Sequence, residues 1–100
     1  MAEYEKKRLA EERKWELIAR DMEKEFTNTL LAISRAKSTA DVINIVKTAK
    51  HRLMRYVEIV RKEIPTYVAY AEGTVNTYLP EIISRGEERV VEIFNMAIGR

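Results

Sequence analysis

Chain breakers are scarce in this sequence. Its 100 residues include only three glycines and two prolines, and none of them falls within the first 37. That stretch is made largely of good helix formers and has little reason to leave a helix once one starts. Its apolar residues recur at helical spacing: Trp15, Ile18, Met22, Phe26, Thr29, Leu30, Ile33 and Ala36 form one stripe. Traced backwards, the stripe meets Glu12, Glu11, Arg8 and Tyr4, so its apolar character begins at Trp15. The spacing predicts a charged helical extension over residues 1–14 and the core part of helix 1 over 15–37. Such a helix spans roughly 50 Å at its usual rise. It would outrun a hairpin partner by roughly ten residues, so its first turns are expected in solvent or docked on another subunit.

Ser38 is followed three positions later by Asp41, the pattern of a capping box, with Asp41 placing negative charge where the helix dipole favours it. A second helix is predicted over 39–64. Its stripe is Val42, Val46, Ala49, Leu53, Val57, Val60 and Ile64, flanked by Ile45 and Tyr56. Pro65 disfavours helical geometry at Ile64 and ends it. The last third allows two readings. Residues 67–71 and 74–78 are rich in β-branched and aromatic side chains around Glu72-Gly73, which could form a hairpin. Glu-Gly is a poor two-residue turn, however, and an isolated hairpin is marginal. Val68, Val75, Leu79, Ile82, Ile83, Gly86, Val90, Ile93, Phe94 and Ala97 keep one helical stripe across Gly73 and Pro80. This favours a kinked third helix over 66–98, or helices 3 and 4 nearly in line, broken at Pro80 or at the Ser84–Glu87 capping pattern.

The fold class expected is all-α: one domain, an antiparallel bundle of three long helical segments, the third kinked or split near Gly73–Pro80. Its core is predicted to draw on Trp15, Ile18, Met22, Phe26, Leu30, Ile33, Val46, Leu53, Val57, Val60, Val75, Leu79, Ile83, Val90 and Phe94. No stretch approaches 18 apolar residues, so no membrane span is expected. The charged N-terminus has no apolar core of a secretory signal. A cytoplasmic or virion-internal protein is therefore expected. Charge enrichment with no Gln and no Cys is a hyperthermophile tendency. Small, charged helical chains of this composition suggest a thermophilic source, viral or plasmid.

Several chemistries are short of material. With no cysteine there is no thiol nucleophile or Cys-rich zinc site, and one histidine cannot build a multi-His metal site. Three glycines leave little for phosphate-cradling loops. Glu12 and Glu16 share a helix face, but Arg8, Arg13 and Arg20 surround them, and no Glu-x-x-His pattern occurs. A small helical enzyme would need Arg or Lys converging between helices, and the predicted stripes are apolar. No catalytic residue, metal, cofactor or small-molecule substrate is expected.

Charge and hydrophobicity carry more. The formal net charge is +2, but residues 38–64 hold six basic and three acidic side chains, while 65–100 hold three and five. Lys47, Lys50, Arg52, Arg55 and Lys62 are therefore the candidates for nucleic-acid contact through phosphates. Glu58 interrupts that face, and His51 sits among its cations. Apolar residues also fall off the main stripes. Leu17 and Leu31 lie opposite the stripe of helix 1, and Ile59 lies on the outer side of helix 2. Ile43 and Met54 widen the apolar face of helix 2. Tyr67, Tyr70 and Tyr78 share a face opposite the stripe of the last segment, suited to burial against another helix or another subunit. With Tyr4, the residues Leu17, Leu31, Ile59, Tyr67, Tyr70 and Tyr78 are the candidate oligomer interface. The function expected is a non-enzymatic structural or protein-interaction role as a homo-oligomer, with a nucleic-acid accessory protein as the alternative.

Overall fold

The computed structural model describes residues 2–99; Met1 and Arg100, the ends of the predicted domain, lie outside the described residues. Three long helices account for nearly all of it: α1 (Glu3–Arg35), α2 (Thr39–Glu63) and α3 (Val68–Ala97). A short 3-10 turn, Pro65–Tyr67, leads directly into α3. There is no strand among the described residues. The hairpin reading of residues 66–78 is thus replaced by helix, whose periodicity outweighs the local β-propensity of Thr, Val and Tyr.

The turns follow from local chemistry. The Ser38 side chain accepts a hydrogen bond from the Asp41 N–H at 3.1 Å, satisfying one of the unpaired donors that begin α2. At the far end, Ile64 takes φ −141° and ψ 64°, outside the helical region, as a residue before proline does. Helix α3 runs unbroken through Gly73, Pro80 and the Ser84–Glu87 pattern. Pro80 removes one backbone donor from an exposed face, where water can satisfy the freed carbonyl.

Antiparallel pairing of consecutive helices makes α1 and α3 parallel to each other and staggered. Lys14 reaches Glu63 at 2.6 Å, which sets the end of α2 beside the fourth turn of α1. Trp15 stacks on Tyr67 with centroids 5.9 Å apart, and Phe26 stacks on Tyr78 at 4.3 Å. Arg89 lies level with Ala36, at the end of α1. The molecule therefore measures 67 × 17 × 15 Å, longer than any one of its helices. Helix α1 projects alone at one tip and the last two turns of α3 project at the other.

The core runs along the three-helix middle. Met22, Ile33, Leu53, Val57, Val60, Ile64, Ala71 and Ile82 are all nearly inaccessible. Thr29 is buried with them, its hydroxyl donating to the Glu25 carbonyl at 2.6 Å. Gly86 is also buried. A Cβ there would stand 3.1 Å from Val46 Cγ2 and 3.4 Å from Val42 Cγ1, so the glycine lets α3 close on the start of α2.

Two expected core residues are outside. Ile83 is 44% exposed and Phe94 is 62% exposed. The inward face of α3 is Ala71, Val75, Ile82 and Gly86. Ile83 lies one helical step, about 100°, beyond Ile82. Phe94 fails for another reason, since α1 has ended before that level.

Candidate interaction surfaces

The basic face of α2 is where the sequence placed it. Lys47, Lys50, Arg52, Arg55 and Lys62 are all exposed. Asn44, Lys47, Thr48, His51, Arg52 and Arg55 line one shallow depression of about 490 Å³ on the outer side of the helix. Arg52 is partly engaged, with Nη1 3.4 Å from a Glu25 carboxylate oxygen. Lys50 and Lys62 do not line this depression. Arg61, beyond Glu58, is tied to that carboxylate and to Glu72 of α3 at 3.2 Å. The latter is a link between the basic and acidic segments.

The tyrosines are divided. Tyr67 and Tyr78 are half-buried against Trp15 and Phe26 of α1, inside a single chain. Burial raises the Tyr67 hydroxyl above the ordinary tyrosine range, helped by the nearby Glu12 and Glu11 carboxylates. Tyr56 moves the same way, by burial and then by Asp21 and Glu25. Tyr70 is 64% exposed, touching the edge of the Trp15–Tyr67 stack at 6.2 Å from Trp15. Tyr4, Leu17 and Leu31 are exposed at separate places on α1, and Ile59 is half-buried.

Sequence periodicity missed a surface at the opposite end. Val42, Ile43, Val46, Lys47, Ile83, Gly86, Glu87 and Val90 line an open, almost wholly apolar groove of about 360 Å³ between α2 and α3. Beyond it Val91, Phe94, Met96 and Ile98 are exposed on the projecting end of α3. The missing signal was the stagger of the helices, which no single-helix pattern contains.

Another junction at this end is polar. Arg89, only 18% exposed, donates from Nε and Nη2 to the Ala36 carbonyl at 3.0 and 2.7 Å. It thereby satisfies the backbone where α1 ends. Arg89 and Arg85 also line a depression with Ile33, Ser34, Glu88, Val91 and Glu92. There Arg89 pairs with Glu92 at 3.1 Å and Arg85 with Glu88 at 3.5 Å. No metal-binding group of three or more His, Asp or Glu forms among the described residues, and none of their helices is long and apolar enough to cross a membrane. The chain matches no protein-family model, no curated protein and no solved structure.

Proposed function

We propose that this is a non-enzymatic structural or interaction protein that works as a homo-oligomer. The observation that carries the reading is the apolar surface one chain leaves uncovered. Ile43, Ile83, Val91, Phe94, Met96 and Ile98 are each more than 40% exposed, and they gather toward one end of the rod. Single exposed hydrophobics are ordinary, but several large ones gathered at one end of a molecule mark a binding surface. Light scattering and sedimentation at micromolar concentration are expected to give an oligomer. A monomer up to about 100 μM, a concentration at which even weak contacts of roughly 5 kcal/mol begin to populate, would overturn the proposal.

A second reading rests on the depression lined by Lys47, His51, Arg52 and Arg55, where cations stand beside the hydrogen-bonding side chains of Asn44 and Thr48. It suits the phosphate backbone of a nucleic acid. Binding to random duplex DNA should then be measurable at ~50 mM salt and fall steeply as salt rises. Absence of binding at that salt would remove it. The composition further supports a thermophilic source, viral or plasmid, and a cytoplasmic or virion-internal location. A melting midpoint near ~50 °C, within the mesophile range, would count against the thermophilic part.

A further inference from the structure

Asn44, Thr48, His51 and Arg55 follow one another at intervals of four, three and four residues along α2. At 3.6 residues per turn they fall within an arc of about 60°, a nearly straight line along the helix. That line is opposite the buried stripe of Val42, Ala49, Leu53, Val57 and Val60, so it is the outermost edge of α2. All four side chains are exposed, and none makes a hydrogen bond or ion pair among the described residues. Thr48 differs in this from Thr29, Thr74 and Thr77, which each donate to the carbonyl four residues back. Asn, Thr and His are weak helix formers, so helix stability does not account for them in the middle of a solvated face. Two cations flank the line: Lys47 lies about 70° to one side of it and Arg52 about 70° to the other. All six residues line one depression. Asp41 and Glu58 stand beyond its two ends, which confines the surface to roughly 16 Å of helix.

We infer that α2 is a recognition helix, lying in the major groove of duplex DNA with Asn44, Thr48, His51 and Arg55 at the base edges and Lys47 and Arg52 at phosphates on the two sides. The B-form major groove is about 12 Å wide and admits an α-helix, and each base pair presents there its own pattern of donors and acceptors. The guanidinium fork of Arg55 matches the O6 and N7 acceptors of guanine, and the amide of Asn44 matches N6 and N7 of adenine. Phosphates ask only for positive charge, and a face of Lys and Arg alone would serve them. An amide, a hydroxyl and an imidazole set in line between flanking cations suit the base edges as well. Duplex RNA is a poorer partner, because side chains cannot read its narrow, deep major groove. Single strands are poorer too, since α2 has no exposed phenyl, phenol or indole ring for bases to stack on; its one tyrosine, Tyr56, is half-buried against the core. At about 3.4 Å per base pair, the line covers about five base pairs.

The inference rests on the nucleic-acid reading above and adds how the helix reads its partner. The test uses the full chain. Selection from a library of random duplexes should enrich a motif of about five base pairs that holds a guanine and an adenine. Fluorescence anisotropy should then find the selected site bound at least about tenfold more tightly than random duplex. Arg55→Lys keeps the charge and loses the fork, so it should weaken the selected site about tenfold and random duplex less than about twofold. Asn44→Ala should act in the same way at the adenine. Lys47→Ala and Arg52→Ala should weaken all duplexes alike, each lowering the salt slope by about 1. Circular dichroism checks that every variant keeps its helices. Duplex binding without a preferred sequence overturns the recognition helix and leaves the phosphate reading standing. So does a preference that Arg55→Lys and Asn44→Ala leave untouched, or competition from single-stranded DNA or duplex RNA as strong as from the selected site. No binding to any duplex at ~50 mM salt overturns both.

Discussion

Both tips of the rod are single helices, yet they are built from different residues. The tip formed by α1 carries Glu3, Glu5, Lys6, Lys7 and Arg8, with only Tyr4 and Leu9 as large apolar side chains. The tip formed by α3 carries Val91, Ile93, Phe94, Met96 and Ile98, with Glu92 its one acidic residue after Arg89. Water satisfies the first at little cost, because opposite charges one turn apart support the helix where no neighbour does. The second leaves apolar area wet. Projection from the body is therefore not what marks an interaction surface here. The composition of the projecting turns does, and the adjoining α2/α3 groove continues the apolar tip toward the centre.

The comparison breaks most readily if stability does not concentrate in the middle. Leu53→Ala removes an inaccessible side chain where all three helices meet and should cost about 3–4 kcal/mol in chemical denaturation. Phe94→Ala should change the stability of the unassociated chain by less than about 0.5 kcal/mol. Similar losses from the two would mean that the α3 tip is covered within one molecule. Arg89→Ala should fall between, at about 2 kcal/mol. It withdraws a charged donor from the Ala36 carbonyl and leaves a partly buried acceptor without its partner. Arg89→Lys, with one amine in place of the fork, should recover only part of that loss. Ser38→Ala at the neighbouring turn is expected to cost about 1 kcal/mol, the usual worth of an N-cap. Thermal and urea unfolding of the five variants check that order.

What was legible in the sequence divides along physical lines. Helices, their turns and most of the core follow from local patterns: the run without breakers, Ser38 with Asp41, Pro65, and the stripes through Met22, Leu53 and Val75. The capping bond at Ser38 and the end of α2 fall where those residues put them. Across Gly73, Pro80 and Gly86 the third segment is one helix, so of the two readings, kinked or split, it is the split that gives way. Each breaker has a private explanation in the fold: open surface at Gly73, an exposed face at Pro80, close approach to Val46 at Gly86. The exposed surface was legible only in part. Whether Phe94 is core depends on how far α1 reaches, and that is fixed by contacts between residues far apart in sequence, such as Arg89 with Ala36. The five cations of α2 were identified and found exposed, but the depression that three of them, Lys47, Arg52 and Arg55, share with Asn44 and Thr48 is a property of the folded surface.

The charged tip provides the smallest effect and the sharpest contrast. Helix α1 begins without a side-chain cap, and residues 2–7 are exposed throughout. None of their side chains has an ion pair or hydrogen bond to α2 or α3 among the described residues. Glu3 and Glu5 favour the helix start through its dipole, but an isolated first turn frays, so its contribution to global stability is small. Deleting residues 1–7 should leave the unfolding free energy unchanged within about 0.5 kcal/mol. Sedimentation should likewise be unaffected, since the α2/α3 groove lies toward the other end of the rod. A loss of association on this deletion would show that the charged tip, and not the apolar one, holds the copies together, with Tyr4 and Leu9 as its anchors. Unchanged association there, beside a loss on Phe94→Ala, would tie the interface to what the projecting helix is made of, since both tips project alone.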